Sequence, residues 1–168
     1  MDKTKLSSTL TIPRVVTGLW QIADMERQGR LEPAPLTDAM TAYVNAGLTS
    51  FDMADHYGSA EDVAGLYLQR YSSSNVQMLT KWVPEPGTIT KDEVRRAVER
   101  SLERLRVNQL DLLQFHTWSY ADPSWLDALF YLQELKDEGL ICNLGLTNFD
   151  TAHLRIALHS GIEIVSNQ

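Results

Sequence analysis

Apolar residues gather in six short runs, at positions 15–20, 49–54, 76–81, 110–116, 141–147 and 162–165. Five of the six are near-continuous rather than alternating, the pattern of strands covered on both faces, as in parallel sheets. The segments between them have helical spacing. Thr90 and Glu93 form a Thr-x-x-Glu capping box, and Val94, Ala97, Val98, Leu102 and Leu105 follow as one apolar stripe. Asp122 precedes Pro123 as an N-cap ahead of a proline at the first helical position. Trp125, Leu129, Leu132 and Leu135 then give a buried face, and Gly139 ends that helix. Ser59 and Asp62 open a shorter helix through Val63, Leu66 and Tyr67. Asp150 opens another that runs to Gly161, and 36–45 is a further helix with Gly47 just beyond. Residues 71–75 read as a polar loop and 84–87 as a turn-rich strand-to-helix loop. Five strand–helix units and a sixth strand predict an α/β chain with a parallel sheet. The expected architecture is a partial TIM (β/α)8 barrel in a single domain over 1–168. A closed barrel takes about 250 residues, so this sequence reads as the front part of one.

Residues capable of chemistry recur with the same period. Asp52, Lys81, His116 and Asn148 are spaced 29 to 35 residues apart, and Gln168 follows 20 later. Each closes an apolar run, and about 30 residues is the length of a strand–helix–strand unit. Parallel strands carrying them at their C-terminal ends would project all five side chains into one mouth. Tyr57 sits five positions after Asp52. A phenol ionises near pH 10, and an adjacent ammonium favours the phenolate and lowers that value. A carboxylate beside the lysine keeps it charged and oriented. A histidine on the next strand end can orient a carbonyl or stabilise a developing alkoxide. The set suits proton delivery to a carbonyl oxygen, with hydride supplied by a nicotinamide or flavin, since side chains offer no hydride donor.

Composition narrows the partners. A hydrophobic share of 43% with 22% charged residues is ordinary globular composition. The formal net charge of −7 argues against nucleic acid or an anionic membrane as partner. Arg95, Arg96, Arg100, Arg104 and Arg106 are interleaved with Glu93, Glu99 and Glu103, which reads as a solvated helix face. Cys142, the single cysteine, reads as a small buried core residue in a reducing compartment. With neither a secretory h-region nor an 18-residue apolar stretch, a cytoplasmic location is expected.

The run from Gly47 through Phe51, Asp52, Ala54 and Tyr57 to Gly58 resembles the aldo-keto reductase signature G-x-x-x-x-D-x-A-x-x-Y-G. Thr80-Lys81, the stretch from Asp111 to His116, that from Gly145 to Phe149, and Ser166-Asn167-Gln168 continue the resemblance in register. It runs from about Val15 to the last residue. The resemblance implies NAD(P)H-dependent reduction of an aldehyde or ketone to an alcohol, with NADPH the expected cofactor and NADH not excluded. Tyr57 would be the general acid, with Lys81 lowering its pKa, Asp52 paired to Lys81 and His116 placing the carbonyl. Thr147, Asn148 and Gln168 would hold the nicotinamide carboxamide. Gly18 and Trp20 would border the nicotinamide and substrate, close to Asp52. Thr147 stands where a serine is commoner, and its hydroxyl can make the same bond. The segments that in the family grip the cofactor's pyrophosphate and 2′-phosphate are not in this sequence.

Trp20, Trp82 and Trp118 each follow a strand end and are expected to wall an apolar substrate pocket. Trp125 belongs to a helix stripe and is expected in the core. His56, His153 and His159 read as surface or supporting residues, and Glu61 as a helix N-terminal carboxylate favoured by the macrodipole. No metal-ligand spacing is present, so no metal site is expected. The expected partner is a small carbonyl compound, and open sheet edges invite self-association. An alternative reading is a half-barrel that binds or regulates with little turnover.

Overall fold

Strands at the six apolar runs pair in the order in which they occur, as shown by a computed structural model that describes residues 2–22, 33–71 and 75–168. A hairpin of β1 (Lys3–Lys5) and β2 (Thr11–Pro13) comes first. The main sheet holds β3 (Thr17–Gly18), β4 (Ser50–Asp52), β5 (Gln77–Trp82), β6 (Leu112–Phe115), β7 (Leu144–Leu146) and β8 (Ile164–Asn167), all parallel. Helices α1 (Pro33–Asn45), α2 (Ala60–Tyr71), α3 (Lys91–Leu105), α4 (Ser124–Asp137) and α5 (Thr151–His159) alternate with them. Sequence neighbours are sheet neighbours throughout, with no reversal of strand order among the described strands. A doubly wound sheet would reverse at a switch point; this order is that of a (β/α)8 barrel.

The first run yields only two strand residues, because a 3-10 turn at Trp20–Ile22 takes up its end. The expected loop at 71–75 begins one residue late, since α2 includes Tyr71, and 72–74 lie outside the described residues. The helix ends follow local chemistry. Thr90 Oγ1 accepts the Glu93 amide, and Asp150 Oδ1 accepts the His153 amide. Asp122 Oδ1 takes the Ser124 amide although the formal cap is Pro123. Gly139 and Gly161 adopt positive φ after α4 and α5, where a side chain would be strained.

Alternation along the strands separates two apolar layers. Phe51, Met53, Met78, Leu113, Phe115 and Leu146 pack under the helices with Val94, Val98, Leu129 and Leu132. Burying each of these larger side chains contributes about 1.5–3 kcal/mol. On the other face Leu79 and Leu112 meet Leu10 of the hairpin, with Ile12, Val16 and Val165 around them. Asn143 fastens the hairpin, accepting from Ser7 Oγ at 2.7 Å and Thr9 Oγ1 at 2.9 Å. Cys142 is half-buried rather than in the core, since it precedes β7 and both of its neighbours turn inward.

Candidate active site

Parallel register brings the strand ends level. Gly18 lies opposite Asp52, Asp52 opposite Leu79, and Lys81 opposite Gln114. Because alternate residues share a face, Asp52, Lys81, Gln114 and His116 enter one mouth while Phe51, Thr80, Trp82 and Phe115 turn to the helices.

Lys81 is 3% exposed and uses all three of its N–H groups. They reach Asp52 Oδ1 at 2.7 Å, Asp52 Oδ2 at 2.6 Å and the Met53 carbonyl at 3.0 Å. Burial lowers the ammonium's pKa, and the charge of Asp52 opposes that shift. Gln114 Nε2 and Gln168 Nε2 add two longer bonds to Asp52 Oδ1, at 3.3 and 3.2 Å. Tyr57 leaves the β4–α2 loop with its ring edge-on to Trp20 (centroids 4.7 Å apart) and to His56 (4.9 Å). Lys81 Nζ stands 5.4 Å from the centre of the Tyr57 ring.

The phenol's acidity corrects one expectation. Burial, and secondarily the charge of Asp52, raise the Tyr57 pKa above its ordinary value of 10.0. The expected lowering by Lys81 is outweighed here, since burial is the largest influence on the phenol and the charge of Asp52 acts in the same direction.

His116 is 5% exposed. Burial, then His56 and Lys81, lower its pKa below 6.5, so the ring is neutral at neutral pH. Asn148 Nδ2 lies 3.3 Å from His116 Nε2. With the amide as donor, Nε2 accepts and the ring proton sits on Nδ1. Asn148 itself is held at φ 59°, an uncommon conformation for a non-glycine residue. Its backbone N–H donates to the Gln168 carbonyl at 2.8 Å, and the Gln168 backbone N–H donates to the Leu146 carbonyl at 2.8 Å. Thr147 is buried, and its hydroxyl has no partner among the described residues. An unpartnered hydroxyl beside two side-chain amides is a donor and acceptor set that complements a primary carboxamide, so these residues fit a nicotinamide. A Cβ built on Gly18 would meet nothing within 4 Å, which leaves the β3 end open toward the mouth.

The three tryptophans part company. Trp20 is 40% exposed against Tyr57, and Trp118 is 70% exposed with its ring 4.2 Å from His116. Trp118 also borders a cleft of about 230 Å³ with Pro84, Pro86, Ile89 and Trp125. Trp82 does not wall this mouth. One position past Lys81, it faces the helices and packs on Phe115. Trp125, expected in the core, is buried with the α4 stripe. His56 contacts Asp55 and borders the site through its edge contact with Tyr57, while His153 stacks on Tyr120 3.6 Å away.

Three residues have contacts that the sequence reading did not assign to them. Gln114 carried a signal, being the lone polar residue in Leu-Leu-Gln-Phe and two before His116. Glu61 and Arg104 carried little. Glu61 is 1% exposed and accepts from Thr80 Oγ1 at 2.7 Å, with Arg104 Nη1 3.4 Å away. Burial raises its carboxyl pKa, while Thr80, Ser101 and Arg104 pull it down.

A sequence model of the Aldo/keto reductase family matches residues 14–168. An aldo-keto reductase of Mycobacterium sp. (strain KMS) is 32% identical over 162 residues, 94% of this chain and 54% of its own. An NADH-specific methylglyoxal reductase of Escherichia coli (strain K12) is 27% identical, covering 96% of this chain and 56% of its own. The crystal structure of the thermostable aldo-keto reductase Tm1743 with the inhibitor epalrestat superposes with a TM-score of 0.87 at 26% identity. That likeness takes in 100% of this chain and 62% of the other. The chain thus spans about half the length of the curated relatives it matches.

Proposed function

The chain belongs to the aldo/keto reductase family, and from that premise we propose that it carries the proton-transfer half of a nicotinamide-dependent carbonyl reduction. The observation that supports this most is the convergence of Tyr57, Lys81, Asp52 and His116 at one mouth, with Lys81 bidentate on Asp52. Tyr57 stays protonated at neutral pH, so the acid is loaded when a carbonyl arrives. It donates its phenolic proton to the carbonyl oxygen, and the phenolate left behind lies near the Lys81 ammonium. Asp52 keeps that ammonium charged and fixed. Neutral His116 orients the carbonyl oxygen through a ring nitrogen. Thr147, Asn148 and Gln168 would hold the nicotinamide carboxamide, and Gly18 and Trp20 would border it. When bound, the nicotinamide supplies hydride to the carbonyl carbon.

NADPH is the cofactor proposed, and NADH is the competitor to test beside it, given the NADH-specific relative. The substrate is a small aldehyde or ketone, with Trp20 and Trp118 against its apolar part. Residues 1–168 are read as belonging to one barrel domain, supported by a single parallel sheet. No described helix is long and apolar enough to cross a membrane. A single cysteine fits a reducing compartment, which favours the cytoplasm. The test is titration with NADPH and with NADH, followed by tryptophan fluorescence and then by coenzyme oxidation on adding an aldehyde. Saturable quenching with aldehyde-dependent oxidation is expected. Oxidation that does not depend on the aldehyde would overturn the reading.

A further inference from the structure

Behind the mouth, on its helix side, a second charged pair lies in contact with both strand ends that carry the proposed acid and its lysine. Glu61 belongs to the first turn of α2 and is 1% exposed. One carboxylate oxygen takes the hydroxyl of Thr80, the residue before Lys81, at 2.7 Å. The other faces Arg104 Nη1 at 3.4 Å. That same guanidinium nitrogen donates to the Asp55 carbonyl, two residues before Tyr57, at 2.8 Å. The Asp55 amide in turn donates to the Lys81 carbonyl at 2.9 Å. The path from Lys81 through Thr80, Glu61, Arg104 and Asp55 to Tyr57 is therefore continuous.

Close packing fixes its anchor. A Cβ built on Gly65 of α2 would lie 2.1 Å from the Arg104 carbonyl oxygen, so α2 and α3 meet backbone to backbone at this point. A carboxylate this deep is costly to bury, and well-packed apolar residues of similar volume are often as stable or more so. A polar pair kept here, one layer behind Tyr57 and Lys81, holds geometry rather than adding stability.

We propose, building on the reductase reading, that Glu61 and Arg104 act as a positioning pair that sets Tyr57 relative to Lys81. Neither touches substrate or cofactor. They act through the β4–α2 loop and the end of β5.

The experiment compares the protein with Glu61→Met, Arg104→Met and the double variant. The double variant should unfold close to the parent, whereas Arg104→Met, which strands a buried carboxylate, should melt lower. With NADPH and an aldehyde, kcat should fall about tenfold or more through misplacement of the acid, with KM and NADPH affinity unchanged. The double variant should be no worse than the poorer single one, because both break the same link. A readout independent of turnover is the ultraviolet titration of the Tyr57 phenol, isolated by subtracting the Tyr57→Phe trace. In Glu61→Met the loosened loop should admit water, and the phenol should titrate at lower pH. If Glu61→Met does not fold, Glu61→Gln, of the same shape, carries the same expectation for the titration. Folded variants with parental kcat and an unmoved phenol titration would overturn the proposal, as would additive losses in the double variant. A parent that binds NADPH but reduces no carbonyl would overturn the reductase reading and leave the titration to judge the pair.

Discussion

Lys81 commits its three N–H groups to Asp52 and the Met53 carbonyl, so its charge acts on Tyr57 only across space. Burial first, and the charge of Asp52 second, hold the phenol above its ordinary value. Thr147 is one of several residues with a buried hydroxyl that has no partner among the described residues, and it adjoins Asn148 at the mouth. Thr147→Val removes a hydroxyl that makes no hydrogen bond among the described residues. Its melting temperature should not fall, whereas NADPH should bind about three- to tenfold more weakly through loss of one hydrogen bond. Calorimetric titration reads this, and unchanged affinity would take Thr147 out of the carboxamide site. Asp52, Lys81 and His116 were legible in the sequence because a charged or titratable residue seldom closes a buried apolar run without a partner or a reaction to serve. Glu61 was not. Its place in the first turn of a helix suits an exposed carboxylate equally well, and only the approach of α3 shows that it is covered. Trp82 misled for a related reason, since the pocket expectation took account of its nearness to the strand end and not of its face.

Elements meet through particular residues. The contact of α2 with α3 depends on Gly65, where any side chain would run into the Arg104 carbonyl. Gly65→Ala should force the helices apart and cost roughly 1–3 kcal/mol, a fall of several degrees in thermal unfolding. A Gly65→Ala protein as stable as the parent would mean that the helices do not approach so closely. The helices were legible from their stripes and caps, Thr90 and Asp150 among them, because capping is local chemistry. The β1–β2 hairpin was not. Its three-residue strands leave no periodic signature, and it is held by distant partners, Asn143 through Ser7 and Thr9 and Leu112 through Leu10. It closes the sheet face opposite the helices, below the site.

Across the sheet as a unit, unbroken sequential order of parallel strands is what makes one mouth from residues more than a hundred positions apart, as Gln168 on Asp52 illustrates. That order was legible because the apolar runs and the chemical residues share one period. The opposing layers were not separable in advance, since near-continuous apolar runs hide which residue faces which side. The proposed function divides the labour of this mouth, with Tyr57 giving the proton and the surrounding side chains holding the coenzyme. Measuring NADPH affinity and aldehyde-dependent NADPH oxidation side by side, in the parent and in Tyr57→Phe, separates these two roles. Nearly unchanged affinity with oxidation abolished is expected in the variant. Comparable oxidation by Tyr57→Phe would instead remove the phenol from the reaction.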